Sequence, residues 1–247
     1  MRASFHGYSR RLTYRDTERY VGRFMILVPV KHLETSKQRL SALLSPSERF
    51  ALAEAMLQDV LSALAACSQR EHVALVSGDG RAHRLARQHG FGIIDDLDDP
   101  GETGAIEMAT RAAIERGAEF TLVLPADIPL ITAAEVDGIF TAAPPEGTVL
   151  APSASGRGTN AVLRRPSGLF PLRFGNDSFM PHLAAARATG KPVEVLKLSG
   201  IGVDIDEPAD LPDLLAAPGD TKAQRLLLEW RIRERLAASR LAEERAS

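Results

Sequence analysis

The first strongly patterned segment of the chain runs from Phe24 to Val30 (FMILVPV) and is almost wholly apolar. A short continuous apolar run of this kind is what a strand buried on both faces of a parallel sheet requires. A helix is predicted next. Ser45 stands at its N-cap, Pro46 at the first helical position and Glu48 completes a capping box, while Ala53, Met56, Leu57, Val60, Leu61 and Leu64 recur at helical spacing. Cys67 ends that stripe as a small buried hydrophobe. The unit then repeats as strand His72 to Ser77, helix Arg81 to His89, short strand Gly92 to Ile94, helix Ile106 to Arg116 and strand Phe120 to Leu124. Thr132 and Glu135 form a capping box for a short helix, and strands are expected at Val149 to Ala151 and Ala161 to Arg164. A helix opening near Ser178, a strand Val193 to Leu198 and a helix after Pro208 complete the pattern.

This alternation implies an α/β fold, a three-layer sandwich with a mainly parallel sheet, over residues 24–216. Ala217-Pro218-Gly219 breaks the pattern, and residues 219–247 read as a helical extension, one arginine- and glutamate-rich helix from about Thr221 to Glu244. Its apolar members make no sustained heptad seam, so it is expected to pack on its own domain, a homodimer contact being the alternative. Residues 1–23 are basic and lack a signal-peptide core, and they read as a disordered N-terminal extension.

Composition narrows the function classes. The chain has 247 residues, enough for a large core without disulfides or a structural metal. Its 30 basic and 32 acidic side chains leave a net charge of -2, which argues against a general nucleic-acid binder. No apolar run approaches the roughly 18 residues of a membrane span. The single cysteine rules out a disulfide framework or a Cys-rich zinc site and suits a reducing cytoplasm.

In an open α/β sheet, ligands bind beyond the carboxyl ends of the strands. The candidates are therefore the residues that follow each strand: Pro29, Val30, Lys31, Lys37 and Arg39 after the first, Ser77 and Asp79 after the second, Asp127 after the fifth apolar run, and Asp204 and Asp206 late in the chain. At strand spacing the last two would point to one side. Cations on one wall and carboxylates on the other suit a magnesium-bound polyphosphate. The G-x-G-x-x-A match at Gly156 precedes a strand-like segment, so dinucleotide binding lacks its context, and the Asp95, Asp96, Asp98, Asp99 cluster reads as an acidic loop.

The segments VPVKHLETSKQRL (Val28 to Leu40), MLQDVL (Met56 to Leu61), LPADIPLI (Leu124 to Ile131), GTNAVL (Gly158 to Leu163), FGNDSFMPH (Phe174 to His182) and GVDIDEPADL (Gly202 to Leu211) occur in that order. Together they resemble the guanylyltransferase family that makes the phospho-acid precursor of the deazaflavin coenzyme F-420. The resemblance implies a nucleotide-diphospho-sugar transferase (glycosyltransferase-A-like) fold. It also implies joining of GMP from GTP to phosphoenolpyruvate, 3-phospho-D-glycerate or 2-phospho-L-lactate, with release of pyrophosphate and a downstream transferase that receives the unstable product. The attacking phosphate oxygen is already anionic, so alignment and charge neutralisation suffice. Mg2+ is assigned to Asp127 with Asp204 or Asp206, the GTP phosphates to Lys31, Lys37 and Arg39, and nucleotide contacts to Pro29, Val30, Ser77 and Asp79. By resemblance, Thr159, Gly175 and Ser178 hold the acceptor acid, and Ser178 is expected to open a helix whose free N–H groups favour an anion. His32 and His182 read as local hydrogen-bonding residues.

The sequence departs from the family where members commonly carry a Leu-Asn pair and this chain reads Glu102-Thr103, and again where Pro125 replaces an aspartate found in some members. Two other readings stay open at this stage. One is a nucleotidyltransferase of the same fold acting on molybdopterin or a sugar phosphate; the other is a non-catalytic nucleotide-binding protein.

Overall fold

The structure, a computed structural model, describes residues 24–96, 101–175 and 177–246, with side chains described through 239. The expected N-terminal extension, and Asp98 and Asp99 of the acidic loop, lie outside the described residues. Strands β1 (Phe24–Pro29), β2 (Val73–Ser77), β3 (Gly92–Asp95), β4 (Phe120–Val123), β5 (Gly147–Pro152), β6 (Thr159–Arg165) and β7 (Val193–Val195) form a 7-stranded sheet in the order β3-β2-β1-β4-β6-β5-β7. The pairings β1–β2, β1–β4, β2–β3 and β5–β7 are parallel, while β6 runs antiparallel to both β4 and β5.

Helices α1 (Pro46–Ala66), α2 (Gly80–Gln88), α3 (Gly101–Glu115), α4 (Ala133–Ala142) and α5 (Phe179–Ala188) flank the sheet, and α6 (Leu211–Ala216), α7 (Lys222–Glu229) and α8 (Ile232–Ala246) follow, with α6, α7 and the start of α8 packed against α1. The period of two along a strand explains the layers. Ile26 and Val28 of β1 pack with Leu57, Leu61 and Leu64 of α1, whereas Met25 and Leu27 point to the opposite face and meet Ile106, Ala109 and Ala113 of α3. Each fully buried Leu or Ile contributes roughly 1.5–3 kcal/mol, so both faces need a helical cover. The capping boxes read from the sequence form at Ser45/Glu48 and Thr132/Glu135.

From β1 the chain first steps outward to β2 and β3, then returns to β4 on the other side of β1. This reversal opens a crevice at the carboxyl ends of β1 and β4. On the far side of β4, Arg164 of β6 is fully buried and spends its guanidinium on Glu107 (3.1 Å), the Phe170 carbonyl (2.6 Å) and Thr110 Oγ1 (3.0 Å). Glu107 also accepts from the Leu172 N–H at 2.9 Å, so this network ties the chain between β6 and α5 to α3.

Three elements differ from the sequence reading. Helix α3 begins at Gly101, more than a turn before Ile106. The strand at Val193 ends at Val195, the last residue in register with β5, opposite Leu150 at the sheet edge. The predicted C-terminal helix is two helices, parted at Arg231, whose φ of 54° is left-handed. Leu227 and Ile232 are both fully buried in one cluster with Leu52 and Met56 of α1 and Leu211 and Leu214 of α6. In one continuous helix those two residues would face directions about 140° apart. The break lets both reach the same core.

Leu227→Ala is therefore expected to lower unfolding free energy by about 2–5 kcal/mol in a denaturant titration. Leu228→Ala, at a side chain 58% exposed on the same helix, should stay within about 0.5 kcal/mol of the parent.

Candidate functional site

A cleft of about 1020 Å³ opens at the carboxyl ends of β1 and β4. Past β1, two short 3-10 turns, Leu33–Thr35 and Gln38–Leu40, fold the chain back on itself, and Lys37 between them takes a left-handed backbone with φ 54°. Its ammonium enters the cleft and donates to Asp127 Oδ2 at 2.6 Å and Asp206 Oδ1 at 2.8 Å. Only 8% of the Lys37 side chain is exposed. Burial opposes that charge, but Asp127 and Asp206 outweigh it and hold the Lys37 pKa above the ordinary lysine value. Reciprocally, burial works against the Asp206 carboxylate, yet Lys37 foremost, with Arg39 and Lys31, brings its pKa below the usual range.

The chain from Gly200 to Asp206 reaches the cleft as an irregular segment, not as a strand. The Ile205 N–H donates to the Asp127 carbonyl at 3.1 Å, the Ala154 N–H to the Gly202 carbonyl at 2.7 Å, and Asn160 Nδ2 to the Ile201 carbonyl at 2.9 Å. Gly200 allows this approach, since a Cβ there would lie 2.1 Å from the Leu130 carbonyl oxygen. Without strand geometry, the two late aspartates diverge. Asp206 turns to Lys37, whereas Asp204 Oδ1 accepts from Asn160 Nδ2 at 3.0 Å. Burial raises the Asp204 pKa; the Asn160 bond opposes this, and the charges of Asp127 and Asp206 add to it.

Of the other cations, Lys31 is largely exposed with Nζ 3.7 Å from Glu102, and Arg39 meets Glu207 at 3.2 Å on the rim. Glu102, at the departure from the family pattern, lines the cleft. Burial raises its pKa, Lys31 lowers it, and Asp127 and Asp206 raise it further. A third carboxylate thus shares the field of Asp127 and Asp206. Pro29 and Val30 also line the cleft.

Ser77 and Asp79, expected to touch the nucleotide, lie behind this wall. The Ser77 hydroxyl donates to the Val30 carbonyl at 2.7 Å. Asp79 caps α2, accepting from the Arg81 and Ala82 N–H groups, and its other oxygen accepts from the Leu33 N–H at 3.0 Å. Although burial raises the Asp79 pKa, the N–H donors of Leu33, Ala82 and Arg81 more than offset it and bring the pKa below the ordinary value. Both side chains are spent on shaping the segment that carries Lys37, and Gly78 between them faces the cleft instead.

On the opposite wall, Thr159 Oγ1 accepts from Ser178 Oγ at 3.2 Å and lies 3.0 Å from His182 Nδ1. Thr159, Ser178 and Gly175, whose φ is 120°, line the same cleft. The expected anion site at the start of α5 has little left to offer. The Phe179 N–H goes to the Arg157 carbonyl, residue 181 is Pro181, and the His182 N–H goes to the Ser178 carbonyl. Nor does the Ser178 hydroxyl cap the helix, being turned to Thr159. Sequence reasoning assigned no role to Asn160 or Arg157. Asn160 carried one legible signal, a carboxamide directly before the apolar run Ala161-Val162-Leu163.

Asp127 and Asp206 converge on one cation, here the Lys37 ammonium, and their chemistry fits Mg2+, which is held through one or two carboxylates plus substrate phosphates. The expected set of Asp127, Asp204 and Asp206 does not gather around one point: among the described residues, no group of three or more His, Cys, Asp or Glu could hold a metal ion. Substrate oxygens would have to complete the coordination. Among the described residues, no helix is long and apolar enough to cross a membrane.

Comparison with known proteins gives concordant results. Residues 24–245 match the family model described as "Guanylyl transferase CofC like". A phosphoenolpyruvate guanylyltransferase of Sphaerobacter thermophilus is 39% identical over 189 residues, 76% of this chain and 90% of that one. The 2-phospho-L-lactate guanylyltransferase of Methanothermobacter thermautotrophicus is 35% identical over 208 residues, 83% of this chain and 90% of the relative. Among solved structures, a candidate nucleotide-diphospho-sugar transferase from Desulfovibrio desulfuricans G20 aligns with a TM-score of 0.70 at 20% identity, covering 87% of this chain and 98% of that one, a likeness of fold.

Asp79→Ala, which removes a helix cap and the Leu33 anchor, should cost about 1–2 kcal/mol of stability near neutral pH. Because the folded pKa is depressed, the parent's advantage is complete above the unfolded carboxyl value of about 3.9 and shrinks as pH falls through the folded pKa. Denaturant titrations of both proteins at neutral and acid pH check this.

Proposed function

This chain belongs to the CofC-like guanylyl transferase family, a family of nucleotidyltransferases, and from that membership we propose that it transfers GMP from GTP to a three-carbon phospho-acid. In the reaction a phosphate oxygen of the acid bonds to the α-phosphorus of GTP, the bond from that phosphorus to the bridging oxygen breaks, and pyrophosphate leaves. The two acids named for the relatives share a carboxylate beside a phosphate, and in this reading the product passes to a downstream transferase of coenzyme F-420 synthesis.

The observation that carries this reading is the Asp127–Lys37–Asp206 cluster facing the Thr159–Ser178 hydroxyl pair across one cleft. A triphosphate is a dense anion, and its leaving pyrophosphate gains charge as the bond breaks. Lys31, Lys37 and Arg39 neutralise that charge in a partly water-excluded setting, where fixed charges act more strongly than in bulk water. Asp127 and Asp206 are the residues we assign to Mg2+, which when bound supplies charge neutralisation and alignment of the phosphates. Thr159, Gly175 and Ser178 hold the acid on the other wall. No general base is required, because the nucleophile is already ionised at neutral pH.

Purified protein with GTP, Mg2+ and each of phosphoenolpyruvate, 2-phospho-L-lactate and 3-phospho-D-glycerate is expected to release pyrophosphate with at least one acid. Silence with all of them would refute the reading. Asp127→Asn should lower the rate about 10²-fold or more while retaining the fold, since Asp206 still pairs with the buried Lys37. Undiminished turnover would remove Asp127 from the mechanism.

A further inference from the structure

His182, in the first turn of α5, is only 1% exposed and sits behind Thr159. Its Nε2 lies 2.8 Å from the backbone nitrogen of Arg173. A backbone N–H can only donate, so Nε2 must present its lone pair, and in a neutral ring the proton then resides on Nδ1. Burial foremost, with the charge of Arg164, pushes the His182 pKa down to about 4, which keeps the ring neutral under ordinary conditions. Nδ1–H therefore donates to Thr159 Oγ1 at 3.0 Å.

Thr159 and Ser178 are 3.2 Å apart and share one hydrogen bond. With Ser178 donating to one lone pair of Thr159 and His182 Nδ1–H to the other, the Thr159 O–H is left over. Among the described residues it has no acceptor, and both side chains line the cleft. Were the tautomer reversed, a hydroxyl would have to donate to Nδ1, and no proton would remain for a ligand. We infer that His182, locked by the Arg173 N–H, is a positioning residue that makes the Thr159–Ser178 pair a net donor to an anionic oxygen of the phospho-acid. The inference rests on the assignment of Thr159 and Ser178 to that substrate. The loop of Arg173 and helix α5 thereby set the polarity of the acceptor pocket without touching the acid through the imidazole.

The test is steady-state kinetics of His182→Leu and His182→Asn, each alone and in a Thr159→Val background, with GTP and whichever phospho-acid the parent uses. His182→Leu is expected to raise KM for the acid about tenfold while KM for GTP stays unchanged. His182→Asn, whose amide N–H can take the place of Nδ1–H, should raise it less than about threefold. In Thr159→Val, His182→Leu should add no further rise, because the hydroxyl it acts through is gone. If His182→Leu does not fold, His182→Gln, whose amide corresponds to the Nε2 side of the ring, takes its place. Equal rises in both KM values, loss of kcat alone, or additive effects in the double variant would overturn the inference and leave the guanylyl-transfer reading standing. A parent enzyme inactive with every phospho-acid would overturn both.

Discussion

The ammonium of Lys37, buried between Asp127 and Asp206, is the constraint around which the site is built. Taking a charge out of water costs several kcal/mol unless a partner compensates it. Two carboxylates brought together would repel each other just as surely. The buried ammonium is therefore tolerable only because carboxylates accept it, and the two carboxylates converge because it lies between them; the three come from three segments: the turns after β1, the loop after β4, and the chain from Gly200 to Asp206. Removing Lys37 would leave the two carboxylates facing each other without their shared cation, so this cluster is a brace for the cleft.

The antiparallel strand β6 explains why the two walls of the cleft differ. In a wholly parallel sheet every strand would send its last residues to this edge. Because β6 is reversed against β4, with Val123 opposite Val162, it is the beginning of β6 that lies beside the end of β4. Thr159 and Asn160 thus join the cleft, while Arg164 is carried into the interior, where Glu107, Thr110 and the Phe170 carbonyl satisfy it. One reversal supplies hydroxyl and amide groups opposite a wall of lysine and carboxylate. Asn160 also connects the walls, since its amide holds both the Ile201 carbonyl and Asp204.

Supporting residues around the cleft work through the backbone. Asp79 and Ser77 hold Leu33 and Val30, and so fix the path of the segment that ends in Lys37. Arg173 performs the same service for His182 through its N–H. Helices α6 and α7 and the start of α8 close the outer face of α1, burying Leu214, Leu227 and Ile232 in a core separate from the two that flank the sheet. The polar side chains of the site are thereby held from behind by hydrogen bonds to the backbone.

Most of the layer architecture could be read from the chain, because its signals are local. The apolar run of β1 and the capping boxes at Ser45/Glu48 and Thr132/Glu135 depend on neighbours a few residues away, and the structure contains all of them. The location of Lys37 and Asp127 at strand ends was legible for the same reason. What the sequence could not decide is where each side chain points. Asp204 and Asp206 are alike in composition and context, yet one faces Asn160 and the other Lys37, a residue 169 positions earlier. The retreat of Ser77 and Asp79 from the cleft and the break at Arg231 belong with it. Hydrogen-bond direction and burial arise from juxtapositions between distant segments, and only the assembled sheet, with β6 reversed, brings those segments within reach of one another.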